Sequence, residues 1–445
     1  MKYVIIGGVA AGMSAAMEIF RTDDSAEITV LERGEDYSYG QCGLPYVIND
    51  VIPSLEKLVA RTAEQFRDKY GIDARVNTTV TDVDPEKQVV TALDTQTNKE
   101  FQVEYDRLLI ASGSTPVSPD WDGVDLPGIH PLKTMVDADK IMNDLTDDVK
   151  HATIVGGGYI GLEMAESLKT KGLDVTIIQQ EPQLAEIFDP EMAKLIEEEA
   201  FNQGIEVILG ESVESFSGNE RVEKVRTDKN SYDTNIVVLG IGVKPNTEFL
   251  QKTDLHLLGN GAIIVNPYME TSLPNIYAAG DCATHYHRIK KTNDYVALGT
   301  TSNKQGRIAG ANMAGNTMTF NGIVGTSLVK FFDLTLGRTG LSEKEAKELN
   351  LSYDVLQDEA RTHSGYYPGV EKLQIKLVYN KKTNQLLGGQ VIGKKGVDKR
   401  IDVLATALYA ELTIPELLDL DLGYAPPYNG VWDPIQQLAR KSNLA

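Results

Sequence analysis

Residues 152–168 read ATIVGGGYIGLEMAESL. A short apolar run reaches glycine at Gly156, and Gly158 and Gly161 complete a GxGxxG before the apolar spacing changes to that of a helix. The run LDVTIIQQ, residues 173–180, follows as a second buried strand and ends in Gln179 and Gln180. Strand, glycine turn, helix and strand make a βαβ unit. Such a unit suits an anion. A turn without Cβ atoms lets a pyrophosphate approach the backbone, and the helix start offers unpaired N–H groups and the positive end of its dipole.

The chain opens on the same design. KYVIIGG, residues 2–8, runs into a helical pattern marked by Ala15, Ala16, Ile19 and Phe20, and EITVLERG, residues 27–34, is the second strand. Gly7 and Gly12 are kept while Val9 replaces the middle glycine, and Glu32 supplies an acid for ribose hydroxyls. Two such units predict two dinucleotide sites. YDRLLIASGSTP (105–116) and TNIVVLGIGVKPN (234–246) each pair a strand with a small-residue turn, and NIYAAGDCAT (275–284) sets Gly280 and Asp281 at a buried strand end. A carboxylate there can bond a ribityl or phosphate group.

Composition narrows the class. At 445 residues the chain has room for about three domains. A net charge of −21 argues against nucleic acid, which needs clustered cations to displace counterions. The N-terminal apolar stretch is broken by Glu18 and preceded only by Lys2, so it reads as strand, turn and helix rather than as a leader. No uncharged apolar run is long enough to span a membrane. Two cysteines, Cys42 and Cys282, cannot build a disulfide framework or a cysteine-rich metal site; a reducing cytosol is the expected compartment and no metal site is expected.

Taken together, these segments resemble the FAD-dependent pyridine nucleotide-disulfide oxidoreductases over essentially the whole chain. The resemblance implies an α/β fold with two Rossmann-like dinucleotide-binding domains and a C-terminal α+β dimerisation domain. By analogy residues 1–115 and 245–320 bind FAD, 116–244 bind NADH or NADPH, and 322–445 make a homodimer. FAD then falls to Gly7, Gly8, Ala10, Gly12, Glu32, Arg33, Ser112, Gly113, Gly280 and Asp281. NAD(P)H falls to Gly156, Gly158, Tyr159, Ile160, Gly161, Glu163, Gln179 and Gly242. At Gln179 and Gln180 neither an acid for the NADH ribose nor an arginine for the NADPH phosphate is present, so use of both coenzymes is expected.

The branch is read from SYGQCGLPY, residues 38–46. In the family's two-cysteine enzymes a second cysteine stands where this chain has Val47, so Cys42 has no partner in the chain. Ser38, Tyr39 and Cys42 instead match the single-cysteine branch of coenzyme A disulfide reductases, NADH oxidases and NADH peroxidases. The oxidases and peroxidases carry a histidine where Ala10 stands, which removes the acid that a sulfenic-acid cycle uses. Coenzyme A disulfide reductases bring two tyrosines from the partner subunit, and THSGYYPG and GYAPPYN supply Tyr366 and Tyr424. Tyr367 and Tyr428 are read as packing residues.

The implied activity is an NAD(P)H-dependent flavoprotein disulfide reductase. Cys42 attacks a small disulfide and keeps one half as a mixed disulfide, Tyr366 or Tyr424 protonates the leaving sulfur, and hydride from NAD(P)H reaches the sulfur through FAD. A helix start beside Cys42 is expected to lower its pKa. Cys282 is expected to be inert. For coenzyme A disulfide the candidate contacts are Ser14, Arg21, Ser38, Gln41, Lys69, Asn303 and Lys304, with Glu18 opposing a phosphate. Other readings are a reductase of a small sulfur electrophile, hypothiocyanous acid or a persulfide, an NAD(P)H oxidase, and a redox-sensing flavoprotein with little turnover. The sequence ends at Ala445 without the rhodanese module of some persulfide-reducing relatives, which is read as weighing against a persulfide.

Overall fold

Three five-stranded sheets organise residues 1–442, the part of the chain that the computed structural model describes; residues 443–445 of the expected dimerisation segment lie outside the described residues. The first sheet has the order Ile276–Ala278, Arg107–Ile110, Lys2–Ile6, Glu27–Leu31, Asp73–Arg75, all parallel. The second runs Glu206–Leu209, Asp174–Gln179, His151–Val155, Ile236–Leu239, Ile129–Pro131, also parallel. Both are covered on two faces, which is why their strands read as continuous apolar runs. Strand Ile276–Ala278 joins the first sheet only after the whole second sheet has been laid down, so the first layer is built from two stretches of chain. The third sheet is antiparallel, in the order Ser327–Phe331, Leu334–Gly340, Leu386–Gly393, Lys372–Asn380, Tyr353–Arg361.

Seven helices are needed to locate the site: α1 (Ala10–Thr22), α2 (Leu44–Ile48), α3 (Ala63–Tyr70), α4 (Met135–Asp144), α5 (Tyr159–Thr170), α6 (Pro190–Asn202) and α7 (Gly299–Met313). Helices α1 and α7 touch backbone to backbone. A Cβ on Gly306 would lie 2.1 Å from the Ala11 carbonyl oxygen, and one on Gly310 would lie 2.5 Å from that of Ala15. Helix α2 leaves the first layer and buries Leu44 and Ile48 in the apolar core beneath the second sheet, beside Ile154, Leu162 and Leu168. Among the described residues no helix is long and apolar enough to cross a membrane.

Charged networks tie the three layers together. Lys376, 1% exposed on the third sheet, meets Asp189 at 2.9 Å and Glu343 at 2.7 Å, and also pairs with Glu191 of α6. Arg338 donates to the Ile187 carbonyl at 2.8 Å and to Glu345 at 2.7 Å, and Glu345 also pairs with Lys290 at 2.9 Å. Burial alone would raise the Glu345 carboxyl, but Arg338, the Ser342 amide and Lys290 bring it down to about 2.

A depressed carboxyl stabilises the fold above its unfolded pKa and loses that effect as pH falls through the folded value. Glu345→Gln is therefore expected to cost up to about 3 kcal/mol near neutral pH, the equivalent of the shift. The gap should close as urea unfolding is repeated from pH 5 down to pH 2. A gap that stays constant over that range would rule out the carboxylate charge as its source.

Candidate active site

Both glycine turns are set by sterics. Gly7 (φ +106°) and Gly156 (φ +101°) lie in the left-handed region, where a Cβ would come within 2.2 Å of the Ala111 oxygen and 2.5 Å of the Gly240 oxygen. A Cβ on Gly12 or on Gly161 would lie 1.9 Å from the carbonyl oxygen of Gly7 or Gly156, so each helix is pressed onto its own turn. A side chain closes each turn. Glu32 accepts from the Gly8 amide at 2.7 Å and from the Gly34 amide at 2.8 Å, and Gln179 accepts from the Gly157 amide at 2.8 Å. The starts of α1 and α5 carry no side-chain cap and no acid in the first turn, whereas α3 and α4 have full capping boxes. Uncapped N–H groups behind a glycine turn fit a pyrophosphate. At Gly158 a Cβ would meet no protein atom within 4 Å, so the glycine there leaves open space that a ligand can use.

The remaining expected cofactor residues gather around these turns. Ala10 starts α1, and Arg33 donates to Thr115 at 3.2 Å. Ser112 donates to the Asn246 carbonyl at 2.6 Å, and Gly113 (φ +68°) and Gly242 (φ +103°) have no atom near a notional Cβ. The Gly280 amide bonds Gln305 at 3.0 Å. Asp281 receives Ser114 and Ser302 at 3.1 Å each and Lys133 at 2.9 Å. Burial opposes its charge, but Lys133 and the two serines hold the carboxyl below its ordinary value. In the second unit Tyr159 is tied to Ser327 of the third sheet and is pushed by burial up to about 12, and Ile160 is exposed.

Cys42 lies in the turn Gln41–Gly43 that runs directly into α2. Its side chain is open to solvent, yet enough protein surrounds the sulfur to desolvate it. Burial pushes the thiol up, Glu163 and Asp281 add to the rise, and only Lys133 among the nearby charges opposes it. The lowering expected from a helix start together with the flavin is not visible in the chain's own side chains, where desolvation and two carboxylates act on the thiol. Cys282 is fully buried, with its sulfur 3.3 Å from the Ile110 carbonyl.

A cavity of about 580 Å³ opens between α1, α7 and the residues just before Cys42, and it is lined by Ser14, Arg21, Ser38, Tyr39, Asn303 and Lys304 among others. Gln41 and Lys69 are not on this lining: Gln41 donates to Tyr39 at 3.4 Å, and Lys69 sits 5.4 Å over the Tyr70 ring. Two further cations, Arg61 and Arg307, complete a set of four with Arg21 and Lys304. Glu18 is not among the lining residues, and its carboxylate lies 3.5 Å from Arg21 and 3.7 Å from Arg307, two of the four cations.

The two expected tyrosines meet within one chain, Tyr366 Oη lying 3.1 Å from Tyr424 Oη, and both are exposed. Their loops are pinned by buried Arg400, which reaches the Thr362 carbonyl at 2.9 Å, Asn429 at 3.1 Å and Asp433 at 3.2 Å. Tyr367 packs edge-on against His363, whereas Tyr428 is 74% exposed and packs little. Lys133, Arg61 and Arg307 have no motif around them that marks them in the sequence, and Tyr46 lies inside the cysteine motif with no sign of its own.

The glycine geometry separates a structural position from a binding one. Gly161→Ala should lower the thermal midpoint by forcing α5 off its own turn, with flavin content the same as the parent's. Gly158→Ala should leave both unchanged and raise KM for NAD(P)H by roughly tenfold. The opposite pattern in calorimetry and steady-state kinetics would refute the assignment of space at Gly158.

Comparison with known proteins agrees with this geometry. The family model for pyridine nucleotide-disulphide oxidoreductase matches residues 1–314, and that for the dimerisation domain of the same family matches 326–434. An NAD(P)H sulfur oxidoreductase (CoA-dependent) of Pyrococcus abyssi is 40% identical over 98% of this chain and 97% of its own. A coenzyme A disulfide reductase of Staphylococcus haemolyticus is 33% identical over 99% of both chains. The solved structure of the water-forming NADH oxidase of Lactobacillus brevis bound to NADH superposes with a TM-score of 0.96 at 31% identity, covering 100% of this chain and 98% of that one. The chain belongs to the pyridine nucleotide-disulphide oxidoreductase family, as an NAD(P)H-dependent FAD oxidoreductase of the coenzyme A disulfide reductase and NADH oxidase type.

Proposed function

We propose that this chain reduces a small disulfide, coenzyme A disulfide foremost, through a mixed disulfide on Cys42. The observation that carries the reading is the cavity beside the Cys42 turn: four cationic side chains line it in a chain of net charge −21. Such a cluster suits a substrate that brings several phosphates to a single thiol. The coenzyme A dependence of the Pyrococcus abyssi relative favours the same class.

In this reading the Cys42 thiolate attacks one sulfur of R–S–S–R; a Cys42–S–S–R bond forms, the original S–S bond breaks, and R–S⁻ leaves. A phenol protonates the departing thiolate. Tyr366 and Tyr424 share a hydrogen bond at 3.1 Å, so either phenol of the pair can pass a proton to the leaving sulfur. The pair acts from the partner subunit of a homodimer. When bound, FAD supplies the two NAD(P)H-derived electrons that split the mixed disulfide into Cys42 thiolate and a second R–SH. Glu32, Gly8 and Asp281 would hold FAD, and Gly158 with Gln179 would hold NADH or NADPH; Gln179 is uncharged and its oxygen is engaged by the Gly157 amide, which suits both coenzymes.

A second reading, reduction of a persulfide or of hypothiocyanous acid, uses the same sulfur and is favoured by its exposure to solvent. Oxygen is the less suitable oxidant, since Ala10 offers no proton. Two unpaired thiols suit a reducing cytosol.

Turnover of NADH and NADPH against coenzyme A disulfide, a persulfide, hypothiocyanous acid and oxygen tests the choice. Coenzyme A disulfide should give the highest kcat/KM. The double variant Arg61→Met, Arg307→Met should raise its KM about tenfold or more while sparing an uncharged substrate. Cys42→Ser should abolish disulfide turnover, and the double variant Tyr366→Phe, Tyr424→Phe should lower kcat about a hundredfold with flavin content intact. Equal turnover of all substrates by the Arg61, Arg307 variant and the parent would dismiss coenzyme A.

A further inference from the structure

Two carboxylates on α5 stand one turn apart, and the structure treats them differently. Glu166 is 8% exposed and fully partnered: Lys330 pairs with one oxygen, and the Phe332 amide donates to the other at 2.8 Å. Among the described residues Glu163 has one hydrogen-bonding partner, the Tyr46 hydroxyl, which donates to it at 3.3 Å. Tyr46, on α2, follows Cys42 of the adjoining turn by four residues and lies close enough for the charge of Cys42 to act on its phenol. That segment is fixed against α5, since Ser167 donates to the Pro45 carbonyl at 2.9 Å and Asn49 to Ser167 at 3.4 Å.

We infer that Glu163, held by Tyr46, is a positioning residue that sets how readily Cys42 ionises: neutral Glu163 permits the thiolate and charged Glu163 opposes it. Burial pushes Glu163 up to about 7, with Glu166 adding and the Tyr46 bond opposing. The charges facing the thiol are Glu163 and Asp281 on one side of the balance and Lys133 on the other. Those facing Tyr46 are Glu163, Glu166 and Cys42 itself. Coupling of this kind is reciprocal, so a thiolate at Cys42 also favours the protonated form of Glu163. Two groups whose surroundings drive their pKa values apart take different roles; here Glu166 anchors a lysine and Glu163 exchanges a proton in the neutral range. The inference rests on Cys42 being the reacting thiol.

The test is the rate of Cys42 alkylation by iodoacetamide in the reduced FAD-loaded protein, followed by mass spectrometry from pH 6 to 10, with buried Cys282 as the unreactive internal reference. The parent should show a shoulder near neutral pH. Glu163→Gln should remove the shoulder and speed alkylation at pH 8 about threefold, the net of more thiolate and a weaker nucleophile. Tyr46→Phe deletes the bond that lowers Glu163 and should move the shoulder to higher pH. Profiles of both variants that superimpose on the parent, or that differ from it by a constant factor at every pH, overturn the inference. Disulfide turnover retained by Cys42→Ser would instead overturn the reading it rests on.

Discussion

The place of the Cys42 sulfur follows from the burial of two aliphatic side chains. Leu44 and Ile48 leave the first layer and sink into the core of the second, 1% and 0% exposed. Each such burial contributes on the order of 2 kcal/mol. Cys42, two residues upstream of Leu44, has no freedom to sit elsewhere than at the junction of the two nucleotide-binding units. The hydrogen bonds from Ser167 and Asn49 set the rotation of the short helix. Cys42 is thereby located by packing rather than by a flexible loop.

The two glycine turns are the same solution used twice with one chemical difference. In each, a residue at the end of the second strand reaches back to the second amide of the turn, Glu32 to Gly8 and Gln179 to Gly157. The first is a carboxylate that also takes the Gly34 amide, while the second is a neutral amide. The turn geometry is thus independent of charge at this position. Charge remains available to discriminate between ligands, and the second unit leaves it out.

The fold was legible because parallel sheets announce themselves by apolar runs and glycine turns, and because the third sheet follows in a separate stretch. The candidate site was legible where a motif is local: the glycines, Asp281, Cys42 and the paired tyrosine loops. Lys133, Arg61 and Arg307 were not, since each enters from a distant segment and has nothing around it that marks a ligand. Tyr46 was hidden inside the cysteine motif itself, and its link to Glu163 spans 117 residues. Gln41 and Lys69, expected at the substrate, lie off the cavity lining because their side chains turn to Tyr39 and Tyr70. The surroundings of the thiol were hidden for a related reason. A helix start is visible in sequence, but the carboxylates that fold around it are not.

Arg400 gives the tyrosine loops a quality that the sulfur side lacks. A guanidinium keeps its charge throughout the range in which proteins stay folded, and this one, 1% exposed, binds the backbone at Thr362 and the side chains of Asn429 and Asp433 at once. The loops that present Tyr366 and Tyr424 are therefore anchored by a charge that stays on at every pH the fold survives. Two loops far apart in the chain are thus held in one arrangement by a single buried side chain.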